Sequence, residues 1–404
     1  MKVLLLGNGI ATRGCKRLLD KHLINNEILE IEDVKEYDYD LVVKSPGIPL
    51  DIEIFSNFKC EIISDIELGY RLVKPRIIAV TGSNGKTTVV SLLQHVLSKK
   101  YKTIACGNIG YSFCDALVDY PKYDYYILEC SSYQLEAIKS FNPEIFILLN
   151  ISLCHIDHHK SLNNYVNAKL KTVSILGRNC VFIYNDKIPY VKADNYDCKK
   201  ISFSDLKTSS SVYRLKNRVY FRNELIYKID SNRSKMSYKC ENIMAVLSVL
   251  YALNELKLKK YIKEFKGVQF RLEKIDKEVY NDAKSTNCES TRVALTALNN
   301  VHLICGGYDR GIPIILDSLS ISHVKHVYAY GETSKLIKDF FDEYDIPCNI
   351  FITLDEAFLS AVMNKKKREN LLYSPMFASL DQYSSYIERG MEFNELHNDY
   401  KRKL

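Results

Sequence analysis

The stretch Ile77-Ile78-Ala79-Val80-Thr81-Gly82-Ser83-Asn84-Gly85-Lys86-Thr87-Thr88 constrains the fold of this chain more than any other. A short apolar run ends in Thr-Gly, two glycines bracket Ser-Asn, and Lys-Thr-Thr follows. Apolar residues then recur at helical spacing: Val89, Val90, Leu92, Leu93, Val96 and Leu97. Strand, glycine loop and helix in that order build an anion cradle, in which loop amides and the positive end of the helix face the ligand. Lys86 adds a point charge, and a threonine hydroxyl can hold Mg²⁺. A full Walker A loop has a glycine five residues before Gly85; that place is Val80, so the match is to the shorter form G-x-x-G-K-T. The competing reading is a glycine turn capping an ordinary helix, and the strand before and helix after favour the cradle.

At 404 residues the chain has room for two to four domains with large cores. Its 47% hydrophobic and 26% charged content is that of a globular protein. No apolar run approaches the roughly 18 residues of a membrane span. The start, Met1 to Gly7, is too short an apolar run for a signal peptide and reads as a first strand. The net charge of +7 is spread out, so a nucleic-acid surface is not expected, while phosphorylated small molecules suit it. The densest basic run, Lys365-Lys366-Lys367-Arg368, reads as a solvated turn. Twelve cysteines without a Cys-x-x-Cys pair read as reduced thiols, hence a cytoplasmic protein.

In chain order, strand Lys2–Leu6, Gly7-Asn8-Gly9 and a helix to about Lys21 open a Rossmann-like unit, with an imperfect G-x-G-x-x-G because Gly14 falls late. Leu41-Val42-Val43 is a buried strand closed by Ser45-Pro46-Gly47. Tyr125–Leu128 is another, ending in Glu129, an acid placed beside the phosphate loop where a Mg²⁺ ligand is wanted; the other reading is a helix cap. Strand Ile145–Leu149 runs into Asn150-Ile151-Ser152 and a cluster with three histidines and Asp157. Zinc is one reading of that cluster, but the spacing lacks a second ligand pair; a site facing phosphates is the other. Lys169 sits among apolar neighbours in a helix over Leu162–Leu176, either snorkelling or as a functional amine. Short strands are expected between Lys192 and Asp230, a helix over Glu241–Leu253 and further helix over Lys257–Phe265. Strands at Val279–Asn281, His302–Cys305, Val327–Tyr330, Asn349–Ile352 and Asn370–Tyr373 then alternate with helices, and their polar loops build a ligand crevice.

Taken together, these residues resemble the ATP-dependent Mur ligases of peptidoglycan synthesis, and within them the branch that adds D-glutamate. The resemblance runs nearly end to end: T-G-S-N-G-K-T-T, G-N-I-G, L-E-C-S-S-Y-Q-L-E, N-I-S-x-x-H-I-D-x-H, A-K-L, N-D-A-K-S-T-N, G-G-Y-D-R-G and S-P-x-x-A-S-L-D-Q-Y-x-x-Y-x-x-R-G. It implies an α/β chain of three domains: a Rossmann-like N-terminal domain over 1–72 that grips UDP, a central P-loop ATPase-type parallel sheet over 73–266, and a Rossmann-like C-terminal domain over 267–404. It implies ATP-driven amide formation through an acyl phosphate, in a monomer that uses no nucleic acid and no membrane. UDP-N-acetylmuramoyl-L-alanine, D-glutamate and ATP would be the substrates.

By the same resemblance Gly82, Ser83, Asn84, Gly85, Lys86, Thr87 and Thr88 would cradle the ATP phosphates, with Lys86 on the γ-phosphate. Thr87 and Glu129 would hold one Mg²⁺; His155 and Lys169, the latter as a carbamate, would hold a second. Asn242, Arg271 and Asp282 would contact the nucleotide and Asn108 the muramoyl substrate. Lys284, Thr286, Arg310, Ser379 and Tyr386 would form the D-glutamate end. The chain departs from the family pattern at Cys154, at Phe270, at Arg310 and in the helix start Glu241–Ala245. Two other classes stay open from the residues alone: a different ligase of the superfamily, such as a folylpolyglutamate synthase, and a P-loop ATPase or nucleotide-binding module without ligase chemistry.

Overall fold

The computed structural model describes residues 1–109, 111–152, 156–206, 209–229, 237–309, 311 and 313–403. These divide into two compact units, Met1–Phe265 and Lys266–Leu404. Among the described residues no helix is long and apolar enough to cross a membrane.

The first unit holds two sheets. In the smaller, β1 (Lys2–Leu6), β2 (Asn25–Leu29), β3 (Leu41–Lys44) and β4 (Glu61–Ser64) lie parallel in the order β2-β1-β3-β4. Val3 to Leu6 are wholly buried: Val3 and Leu5 pack with Leu18 and Leu19 of the helix Ile10–Lys21, and Leu4 and Leu6 with Val34, Tyr39, Phe55 and Phe58 from the connecting segments. The larger sheet contains β5 (Ile77–Thr81), β6 (Thr103–Gly107), β7 (Tyr125–Glu129), β8 (Ile145–Leu148), β9 (Val181–Asn185), β10 (Lys199–Ser204), β11 (Val212–Leu215), β12 (Arg218–Phe221) and β13 (Glu224–Lys228). Their order is β13-β12-β11-β10-β9-β8-β5-β7-β6, parallel from β6 to β11, with antiparallel ribbons at the β13 edge. Of the short strands expected between 192 and 230, β10 joins the parallel part of the sheet and β11 to β13 form this ribbon at its margin.

β5 is the strand from which the chain goes to one side (β6, β7) and then to the other (β8, β9), so its C-terminal end is the switch point where such sheets open a crevice. Its residues alternate between two cores. Ile77 and Ala79 face one shared with Val3, Leu5, Leu18, Ile63 and Phe113; Ile78 and Val80 face the other, shared with Val89, Val90, Leu93, Met244 and Leu247. Each large aliphatic side chain so buried contributes roughly 1.5–3 kcal/mol. The first core runs without a break from the smaller sheet into the larger one.

Polar anchors reinforce that seam. Glu67, in the helix Asp65–Val73, is fully buried. It accepts hydrogen bonds from the amides of Lys139, Ser140 and Phe141 (3.0, 2.9 and 2.8 Å), from Ser140 Oγ (2.6 Å) and from Arg71 Nε (2.7 Å). Lys44, equally buried, pairs with Glu136 at 2.9 Å and donates to the Ile48 carbonyl.

In the second unit β14 (Glu273–Asp276), β15 (Val279–Asn281), β16 (Val301–Gly306), β17 (Val324–Tyr330), β18 (Cys348–Phe351) and β19 (Asn370–Met376) order as β14-β15-β19-β16-β17-β18, parallel except for the β14–β15 hairpin. The stretch expected as helix over 257–265 is wound as a 3₁₀ helix, Leu256–Glu264, and the chain closes on a helix, Tyr386–Lys403.

Burial acts to raise the Glu67 carboxyl, but its hydrogen bonds from Ser140, the Lys139 amide and Arg71 outweigh that and hold it below the usual range. A carboxylate depressed in this way stabilises the fold above its unfolded pKa of about 4.3, and that stability is lost as pH falls through the folded value. Glu67→Ala should therefore cost about 3 kcal/mol at neutral pH by leaving three backbone amides without their acceptor, while Arg71 keeps Glu61. In urea unfolding the gap between variant and parent should narrow below about pH 4.

Candidate functional site

The loop after β5 is held from beneath by the segment that follows β8. Asn150 clasps Asn84 on both sides, accepting from its amide at 2.8 Å and donating to its carbonyl at 3.0 Å. The Ser83 amide donates to the Asn150 carbonyl, and Ser83 Oγ accepts from the Ser152 amide at 2.9 Å. Gly85 starts the helix Lys86–Leu97 with φ +85°, and a Cβ there would stand 2.7 Å from Asn242 Oδ1. Glycine is thus required both by the left-handed backbone and by the side chain laid over it. Asn242 comes from the buried helix Ser237–Ala252, so the expected nucleotide contact does lie on the phosphate loop.

Two lysines meet at this loop. Lys86 Nζ donates to the carbonyls of Gly82 (2.8 Å) and Ser83 (3.0 Å). Lys169, buried in the helix Leu162–Ser174, donates to the same Gly82 carbonyl at 3.2 Å and to Thr81 Oγ1 at 3.3 Å. Tyr165, one turn earlier, lies with its ring 4.6 Å under Lys169 Nζ and its hydroxyl 2.8 Å from Ser83 Oγ. Sequence reading named Lys169 and passed over Tyr165, Asn150 and Ser152. The i, i+4 spacing of Tyr165 and Lys169 on one helix face was the available signal.

Glu129 ends β7, next to β5 in register with Val80. Its Oε1 accepts from Asn108 Nδ2 at 3.3 Å, and its Oε2 is buried with no hydrogen-bond partner among the described residues. A carboxylate oxygen left bare costs free energy unless something cationic meets it. Together with the buried Thr87 at the helix start, this donor set of hard oxygens fits Mg²⁺. Gly107 permits the approach: with φ +95°, a Cβ on it would lie 2.4 Å from the Glu129 carbonyl. Thr88 is half-buried in the same helix turn.

His155, Cys154 and Arg310 lie outside the described residues. His158 and His159 end the short helix Ile156–His159 and turn toward Glu136, which lies 22 residues before His158.

In the second unit, the loops after β15, β16 and β19 lie side by side because those strands are adjacent and parallel. Asp282 is buried and accepts from the Leu272 amide, Ser285 Oγ and Ser374 Oγ (2.8, 2.5 and 2.9 Å). Burial raises its carboxyl, and Arg271 works against that shift. Arg271 Nε is buried without a hydrogen-bond partner among the described residues. Lys284 Nζ stands 5.2 Å over the Tyr386 ring. Thr286 is half-buried after β15, and Ser379 is buried after β19, where its carbonyl accepts from the Tyr383 amide. Phe270 is buried with φ +60° and its ring packs against Gly390.

The chain is similar to known proteins over most of its length. The profile of the Mur ligase middle domain matches residues 80–250. The UDP-N-acetylmuramoylalanine–D-glutamate ligase of Macrococcus caseolyticus is 31% identical, over 87% of this chain and 82% of its own. That of Natranaerobius thermophilus is 31% identical, over 95% of this chain and 89% of its own. Among solved structures, the UDP-N-acetylmuramate–alanine ligase of Thermotoga maritima superposes with TM-score 0.61 at 16% identity, covering 99% of this chain and 100% of that one. A MurF ligase from Thermotoga maritima, solved in complex with ADP, gives TM-score 0.62 at 15% identity, covering 98% and 95%. These structures share the α/β fold.

Asn150→Ala removes two hydrogen bonds to the Asn84 backbone. It should lower stability by about 2 kcal/mol and speed amide exchange across 82–88, read by thermal melting and hydrogen–deuterium exchange. Unchanged exchange would mean that the loop holds its shape without the clasp.

Proposed function

The chain belongs to the Mur ligase family, in its UDP-N-acetylmuramoylalanine–D-glutamate ligase branch, and on that premise we propose that it joins D-glutamate to UDP-N-acetylmuramoyl-L-alanine at the expense of ATP. The reaction belongs to cytoplasmic peptidoglycan precursor synthesis, and the protein acts as a monomer. The carboxylate of the L-alanyl group takes the γ-phosphoryl of ATP, and ADP leaves. The resulting acyl phosphate is attacked at its carbonyl by the amine of D-glutamate, and the tetrahedral adduct collapses to amide and phosphate. Activation is needed because a free carboxylate is a poor electrophile.

The observation that carries this reading is the convergence of Lys86 and Lys169 on one carbonyl of the phosphate loop. Phosphoryl transfer gathers negative charge on the oxygens in flight, so positioned cations do most of the work. Lys86 exchanges the loop carbonyls for the γ-phosphate; the amides of Gly82–Thr88 hold the remaining phosphate oxygens. Thr87 and Glu129 would hold one Mg²⁺, and His155 with a carbamylated Lys169 a second; these ions would supply further positive charge. A carbamylated Nζ keeps one N–H, enough for one of the two bonds it makes to Thr81 Oγ1 and Gly82. Asn108 bonds to Glu129 and faces solvent, which suits a contact to the muramoyl substrate. Residues 1–72 grip the UDP, 73–266 bind ATP with Asn242, and 267–404 contribute Arg271 and Asp282 to the nucleotide. Lys284, Thr286, Arg310, Ser379 and Tyr386 receive D-glutamate; the forked guanidinium of Arg310 suits its carboxylates.

With ATP, Mg²⁺ and UDP-N-acetylmuramoyl-L-alanine, phosphate release should depend on D-glutamate when amino acids are offered singly; preference for another amino acid would overturn the assignment. Lys86→Ala should lower that release by at least about 100-fold. Lys169→Ala should regain part of its activity with added formate or acetate. A folded variant that no short carboxylate rescues would remove the carbamate from the account.

A further inference from the structure

We propose that Glu136, His158 and His159 form a site for one transition-metal dication of the zinc class, on residues other than those proposed for Mg²⁺. Glu136 follows the short helix Ser132–Leu135, and the histidines close the helix Ile156–His159. His158 Nε2 lies 3.1 and 3.0 Å from the two Glu136 oxygens, and His159 Nδ1 lies 3.7 Å from Oε2. One donor atom from each residue falls within 4.8 Å of the others. Donors on a tetrahedral ion with bonds of about 2.0–2.1 Å stand about 3.3 Å apart, so the trio needs only a small adjustment to close on a metal. The histidine stretch lacked a second ligand pair in sequence because the third ligand arrives from the turn after another helix.

The donors choose the ion. Two imidazoles and one carboxylate suit Zn²⁺, Co²⁺ or Ni²⁺, whereas Mg²⁺ prefers oxygens alone. The surroundings are those of a built site. His159 Nε2 lies 2.9 Å from Ser132 Oγ, a partner that orients Nδ1 toward the ion. Lys44 holds Glu136 Oε1 at 2.9 Å and leaves Oε2 for a metal. The Tyr133 ring lies against both imidazoles, at centroid distances of 4.1 and 5.6 Å. The side chains of His158, His159 and Glu136 are 8, 4 and 13% exposed. They border a cavity of about 570 Å³, also lined by Leu50, Asp51 and Asn164, which leaves room for a water on an open coordination position. A metal there would tie the segment running to the helix of Lys169 back onto Glu136.

The full-length protein titrated with Co²⁺ in excess Mg²⁺ tests this. One equivalent should give visible d–d bands of a nitrogen–oxygen site, without a thiolate charge-transfer band, and Zn²⁺ should displace it. His158→Gln and Glu136→Gln, with melting and circular dichroism monitoring the fold, should each weaken Co²⁺ at least about tenfold. A spectrum dominated by thiolate charge transfer would overturn the site without any variant. So would bands that vanish in millimolar Mg²⁺, or an affinity unchanged in both folded variants. In those cases the trio is a hydrogen-bonded network paired with Lys44.

Discussion

The carbonyl of Gly82 accepts from two amines, Lys86 at 2.8 Å and Lys169 at 3.2 Å, and the rest of the first unit is built to keep that meeting in place. Two amines sharing one acceptor stand no more than about 6 Å apart. As ammonium ions they repel by about 3 kcal/mol at an effective dielectric constant near 20. With both amines charged, an anion entering between them would relieve that repulsion. The proposed carbamate on Lys169 relieves it in another way, by turning one of the cations into an oxygen ligand.

Keeping Lys169 there takes a large part of the fold. Its helix is fixed by Tyr165, whose ring lies under the amine while its hydroxyl reaches Ser83. The loop is fixed by Asn150 at the end of β8, and the bare Glu129 oxygen stands at the end of β7. The positions of Asn150 and Glu129 follow from β5 lying between β7 and β8. The alternation of β5 residues between two cores holds that strand rigid. Glu67 and Lys44 then lock the smaller sheet to the same body.

The phosphate loop was legible in the sequence because its glycines, lysine and flanking strand and helix obey local rules. The buried parallel strands were legible as apolar runs. β2 was not: Asn25-Asn26-Glu27-Ile28-Leu29 is a half-exposed edge strand with little apolar signal. The closing helix Tyr386–Lys403 was hidden by its polar composition, since few of its residues are buried. Asn150 and Tyr165 act through contacts 66 and 82 residues distant, which no local pattern records. Glu136 joins His158 and His159 for the same reason. His155 and Arg310, both named from sequence, lie outside the described residues.

The second unit gathers Lys284, Thr286, Ser379 and Tyr386 at the ends of neighbouring strands, as a sheet of this order must. The central claim is that cations at the phosphate loop hand a phosphoryl group to a carboxylate. A heavy-oxygen label placed in the L-alanyl carboxylate of the muramoyl substrate tests it most directly, with the released phosphate analysed by mass spectrometry. The account predicts that one labelled oxygen appears in each phosphate released; phosphate free of label, at normal turnover, would contradict it.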